Sequence, residues 1–242
     1  MMDTYVLVHG AWHTGAELEP VAEHIRKMGH IVHCVTLAGN RPGDNRATSG
    51  LKDAIDSLVD FLVSKDLKNV RLMGHSYGGM VISGAVDRAP ERIRRLIYWN
   101  AFVPLNGECL NDMVPLHYVG MFDGMNAADP HNLALPPPVW REAFINDADE
   151  ATAMAAYAKL NPQPYKTFTD KISLKTELAA LQIGKSYINF QQDTALPHSL
   201  PWHPRLSEKL GLFRLVEGTG SHEVCFTNPA HLAQKIVEAG RD

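Results

Sequence analysis

The segment Gly74-His75-Ser76-Tyr77-Gly78 holds a serine with a glycine two positions away on either side. That spacing suits a hydroxyl nucleophile raised on a very sharp strand-to-helix turn, since side chains at the glycine positions would obstruct the turn and keep the helix off the strand. With 18 glycines and 10 serines in the chain, chance gives roughly 0.05 such matches before a strand ahead and a helix behind are required. Both are predicted: residues 70–73 read as the third strand and residues 80–89 as a helix rich in small residues. The spacing fits neither the dinucleotide fingerprint nor the P-loop.

A serine hydroxyl is a weak nucleophile until a base takes its proton, and that base needs an acid to orient it. Among 12 histidines, His222 is the candidate base, in a Gly-Thr-Gly-Ser-His loop between the last predicted strand and the last helix. Asp193, just past the strand predicted at 185–190, is the best-placed acid, with Asp170, Glu217 and Glu223 as competitors. Asn100 occupies another strand edge without charge, and an Asp there is expected to restore part of the activity lost in Asp193→Asn. A tetrahedral oxyanion calls for two amide donors, one after the nucleophile and one in the first loop, which points to Tyr77 and Ala11. His9 and His75 end strands beside these loops and read as structural.

These positions need a scaffold, and the pattern of elements supplies one. The chain has 242 residues, 45% apolar and 21% charged, with a net charge of -4. It can bury a sizeable core and offers no basic field for nucleic acid or anionic lipid. Strands predicted at 4–9, 31–37, 70–73 and 96–102 alternate with helical patterns, which argues for an α/β fold, a mostly parallel sheet with helices on both faces. Strand character then lapses from 104 to about 184 and resumes at 185–190 and 212–217. The reading is one domain, residues 1–242, with a helical cap inserted at about 105–184. The helical patterns within it fall at 139–145 and 150–160, and a final helix is opened by Asn228-Pro229.

The chain resembles the α/β-hydrolase superfamily, and within it the small methylesterase and hydroxynitrile-lyase-like group. The likeness is carried by residues 8–13 (Val-His-Gly-Ala-Trp-His), 74–79, 101–104 (Ala-Phe-Val-Pro), Gln192-Asp193 and Gly220-Ser221-His222. It implies an α/β-hydrolase fold and a triad of Ser76, Asp193 and His222. Two departures bear on pocket shape: Ala16 and Leu18 stand where the group often has tryptophan, and Asn100 where it often has Asp. The lyases carry a Thr and a Lys where this chain has Gly10 and Glu223, and cofactor-free dioxygenases of similar fold a His where it has Tyr77. Glu223 would repel departing cyanide, so ester hydrolysis is favoured.

The expected substrate pocket draws on Trp12 from the first loop and on Met121, Phe122, Trp140 and Phe144 from the cap. No histidine or cysteine spacing is convincing for a metal, so neither metal nor cofactor is expected. Three scattered cysteines and an N-terminus without a signal-like run suggest a cytoplasmic protein. The expected partner is a small-molecule ester, with no nucleic acid and no membrane, and a homodimer is compatible with the sequence. The expected reaction is cleavage of a small aromatic or alkyl carboxylic ester through an acyl-enzyme. The alternatives are a hydroxynitrile-type carbon–carbon lyase and a ligand receptor of the same fold with slow turnover. Ser76→Ala should reduce kcat on a p-nitrophenyl ester by several orders of magnitude, and retention of more than about a tenth would place the nucleophile elsewhere.

Overall fold

A computed structural model describes residues 2–242. Six strands form a single sheet: β1 (Thr4–Val8), β2 (Ile31–Val35), β3 (Val70–His75), β4 (Ile93–Trp99), β5 (Gly184–Phe190) and β6 (Arg214–Gly218). Their order is β2-β1-β3-β4-β5-β6, and every neighbouring pair is parallel. Central strands of such a sheet are covered on both faces, which fits the burial of all of β3 and of all but the first residue of β1. Helices α1 (Glu19–Lys27), α2 (Leu51–Ser64) and α3 (Gly78–Arg88) are the crossovers between the first four strands. One apolar layer, with Val21, Ile25 and Leu232, packs α1 and the final helix (Pro229–Ala239) against one face of the sheet, while α2 and α3 pack on the other. Asn228 caps that final helix, its side chain accepting from the His231 amide at 3.1 Å, with Pro229 in the first turn as the sequence suggests.

Between β4 and β5 there is no strand, and helical segments cover the C-terminal edge of the sheet. The longest, α4 (Leu116–Ala128), has no counterpart in the sequence reading. Its apolar residues run around the helix instead of forming a stripe, and Gly120 and Gly124 weaken the helical signal. The pattern at 139–145 forms a short helix, Pro137–Val139, that runs into a π-helical turn at Trp140–Phe144, and the pattern at 150–160 forms a helix at Glu150–Tyr157. Cys34, Cys109 and Cys225 are free thiols. No helix among the described residues is long and apolar enough to cross a membrane.

At the edge that carries the site, β4 and β5 are clamped together by Asn100. Its main-chain N–H donates to Ile188 O (2.9 Å), its side-chain amide donates to Phe190 O (3.3 Å), and its side-chain oxygen accepts from the Phe190 amide (2.7 Å). An Asp at this position would keep the acceptor but not the donor, and would set a buried charge against a carbonyl. Contrary to the sequence-based expectation, the side chain at this position is engaged with Phe190 on β5 and is not placed to replace Asp193. Asn100→Asp should destabilise the fold by about 2 kcal/mol or more, read as a lower urea midpoint with an unchanged m-value.

Candidate active site

The turn that carries Ser76 is built by its glycines. A Cβ on Gly74 would lie 2.6 Å from Gly78 O, so any side chain there would prevent α3 from starting where it does. Ser76 takes φ +51°, a left-handed conformation unusual for serine, and the surrounding main chain holds it. Its amide donates to Trp99 O (3.2 Å), and its carbonyl accepts from Gly79 (3.0 Å) and Phe102 (3.1 Å). Tyr77 follows at the entrance to α3, with its amide at the positive end of the helix. Neither the Tyr77 nor the Ala11 amide joins any hydrogen bond found among the described residues.

His222 and Asp193 come from separate strand edges and meet in the interior. His222 Nδ1–H donates to Asp193 Oδ2 at 2.6 Å, and Asp193 Oδ1 accepts from the Ala195 amide at 2.8 Å. Both residues are buried. One carboxylate oxygen thus faces the imidazole and the other is spoken for, which fixes the ring's tautomer and orientation. The competing acids do other work. Asp170 accepts from the Leu51 amide at the start of α2, Glu217 is exposed, and Glu223 pairs with His13.

Ser76, Tyr77, Ala11 and His222 line one pocket, whose walls are almost wholly apolar. Trp12, Phe122 and Phe144 line it as the sequence suggested, joined by Tyr118, Phe168 and Trp202. Met121 and Trp140 do not. Met121 neighbours Phe122 on α4, and successive helical residues point about 100° apart, so only one faces the cavity. Trp140 is fully buried one layer back, stacked behind Phe144 with its N–H donating to Ala153 O at 2.9 Å.

The cap also shapes both loops below it, through Phe144 and through residues that no sequence signal marks. Trp12 takes φ +66°, and its amide donates to Gln163 Oε1 (3.0 Å) while its carbonyl accepts from the Asn161 amide (2.8 Å). Its indole N–H donates to Leu133 O (3.0 Å). On the other loop, Asp147 Oδ2 accepts from the Ser221 amide (3.1 Å), and Phe144 O accepts from the Glu223 amide (3.2 Å). These contacts join residues far apart in the chain, and no local spacing marks them.

Four further buried histidines and acids surround the site. His9 donates through Nδ1–H to Gly10 O (2.7 Å) and accepts at Nε2 from Leu37 (3.1 Å), and burial holds its pKa down at about 4. His75 lies 3.7 Å from Trp99, ring on ring, and burial, then the nearby His222, pushes its pKa well below the usual 6.5. His13 Nε2 lies 3.3 Å from Glu223 Oε2, a charge contact without hydrogen-bond alignment. Burial disfavours both charges, but their mutual attraction outweighs it: His13 is raised above 6.5 and Glu223 lowered below 4.5. Ligating atoms of His75, His222 and Glu223 fall within 4.8 Å of one another. With His222 held by Asp193 and Glu223 by His13, this trio is not a free donor set for a metal.

The chain matches the alpha/beta hydrolase family model over residues 5–234 and belongs to that family. Among its relatives, it is 31% identical to a carbendazim hydrolyzing esterase of Nocardioides sp., over 99% of this chain and all of the relative. It is 24% identical to methylesterase 18 of Arabidopsis thaliana, over 97% of this chain and 96% of the relative. A solved structure of an extracellular alpha/beta-hydrolase from a Paenibacillus species superposes with a TM-score of 0.94 at 37% identity, covering 99% of this chain and 100% of that one. That protein is described as sharing structural and functional homology with the tobacco Salicylic Acid Binding Protein 2.

The signs of the His13 and Glu223 shifts define a pH window. The raised His13 contributes stability in full below pH 6.5 and loses it as pH climbs through its higher folded value. The lowered Glu223 contributes in full above pH 4.5 and loses it as pH falls through its lower folded value. Thermal melts of a His13→Asn/Glu223→Gln double variant should therefore vary less with pH than wild type at both ends. Parallel Tm profiles from about pH 3 to about pH 10 would show that the pair contributes nothing. His13→Ala alone should cost about 3 kcal/mol, because it strands a buried carboxylate.

Proposed function

We propose that the protein is a serine hydrolase that cleaves small, uncharged carboxylic esters, aryl or alkyl, through an acyl-enzyme. The observation that carries this is the His222–Asp193 hydrogen bond of 2.6 Å at the wall of the same apolar cavity that Ser76 lines. In this reaction His222 accepts the Ser76 hydroxyl proton as Oγ attacks the ester carbonyl, and the Ala11 and Tyr77 amides stabilise the oxyanion. The proton passes to the departing alcohol, and the acyl group remains on Oγ. A water molecule, deprotonated by His222, then releases the acid. Asp193 holds the imidazole and balances its charge throughout.

The nearly unbroken apolar lining favours an uncharged substrate, because a charged group brought into it would lose its hydration without a partner. The names of the relatives, an esterase and a methylesterase, support the same chemistry. Against a cyanohydrin lyase stand Gly10, which has no hydroxyl, and Glu223, whose nearest buried charge partner is His13. A receptor would bind its ligand tightly and release product only over minutes. The test is a panel of methyl, phenyl and p-nitrophenyl esters with mass analysis of the protein. We expect multiple turnover and an acyl adduct on Ser76, absent in Ser76→Ala. Faster cyanide release from mandelonitrile than ester cleavage, or ester turnover with no Ser76 adduct, would overturn the reading.

A further inference from the structure

A second pocket lies behind Asp193, lined in part by Asn189, Gln191, His198 and His203. It shares two residues, Leu196 and Trp202, with the cavity that holds Ser76 and His222, so these side chains form the wall between an apolar chamber and a more polar one. The Trp202 indole lies nearly parallel to the His222 imidazole, 13° between planes and 5.2 Å between centroids. Phe102 meets the indole edge-on at 4.9 Å. The indole N–H is buried and has no hydrogen-bond partner among the described residues. An unpaired buried N–H costs free energy that a phenylalanine or leucine would not incur, so what tryptophan contributes here is the breadth of its flat face.

The loop holding this residue is anchored. Arg205 donates to Pro201 O (3.2 Å), to Leu200 O (3.3 Å) and across to Met113 O in the cap (3.0 Å), and the Leu206 amide donates to Trp202 O (2.9 Å). Trp202 is therefore fixed against His222 on one side while it closes the end of the Ser76 chamber.

We propose, resting on the ester-hydrolase reading above, that Trp202 is a positioning and specificity-determining residue that stacks on His222 and limits the length of the ester's acyl chain. The indole face keeps the imidazole in the plane that reaches Asp193, and it offers a π surface to the imidazolium formed when His222 takes the serine proton. As the partition, it confines the acyl group to the chamber that Ser76 and His222 line. Removing the ring joins that space to the cavity behind Asp193 and admits long acyl chains. The same loss leaves the histidine without its stacking partner.

The experiment compares Trp202→Phe and Trp202→Leu with wild type on p-nitrophenyl acetate, butyrate and octanoate, after thermal melts establish that each variant is folded. On acetate, Trp202→Leu should lose about tenfold in kcat with little change in KM, while Trp202→Phe, which keeps an aromatic face, stays within about threefold. The octanoate-to-acetate ratio of kcat/KM should rise by about tenfold or more in Trp202→Leu. An unchanged ratio, or equal losses of kcat in the two variants, overturns the role. If Trp202→Leu does not fold, Trp202→Phe decides alone, since its shorter ring must still raise the ratio by about threefold. Wild-type protein that cleaves none of these esters and takes no acyl group on Ser76 overturns the reading of the site itself, and this role with it.

Discussion

Ser76 stands at φ +51°, and hydrogen bonds to Trp99, Gly79 and Phe102 keep it there. An L-residue in that region carries strain of the order of 1–3 kcal/mol, so it persists only where its surroundings leave no alternative. The rest of the architecture follows from meeting this condition. The glycines let α3 begin immediately after β3, the end of β4 supplies an acceptor for the serine amide, and the segment leaving β4 supplies a donor for its carbonyl. The parallel sheet brings these pieces together because every strand points its C-terminal end toward the same edge.

Around that edge the protein separates neutral from charged groups. His9 and His75 are buried without a bonded carboxylate, although Glu223 comes near His75, and burial holds both neutral, so they pack as hydrogen-bonding or stacking rings. Two other histidines each face a carboxylate, His222 with Asp193 and His13 with Glu223. Because Glu223 follows His222 directly, a carboxylate left uncompensated there would compete with Asp193 for influence on the imidazole. His13, reaching over from the first loop, answers that charge locally.

The parts that were legible in the sequence are those encoded by neighbours in the chain. Apolar β-branched runs announced the strands, and the glycine spacing announced the turn at Ser76. His222 and Asp193 could be singled out because each follows a strand at the edge where sites collect, and the structure brings them to 2.6 Å. What stayed hidden depends on contacts across the chain. Gln163 and Asn161 look like ordinary loop residues until Trp12 is seen between them. Trp202 sits among prolines with no periodic pattern to assign it a face, and Met121 and Trp140 lie outside the pocket lining: apolar composition alone does not say which side chains face a cavity. The end of β4 is hard to read for a related reason: Ala101 and Phe102 look as apolar as β4 itself, but the Asn100 clamp and the serine turn divert the chain out of the sheet.

The hydrogen bonds from the cap to Trp12, Ser221 and Glu223 make the cap a poor candidate for transplantation. In a fold whose cap only shades the pocket, exchanging that segment with a relative's would alter selectivity and leave reactivity intact. Here the segment from Leu133 to Gln163 carries the acceptors and donors that give the first loop its left-handed Trp12 and hold the histidine loop in register. A chimera that keeps every side chain on the sheet but imports a foreign cap would inherit two slack loops. Recombination in this lineage therefore has to treat cap and loops as one heritable block, with Asn161, Gln163 and Asp147 travelling together with the residues they hold.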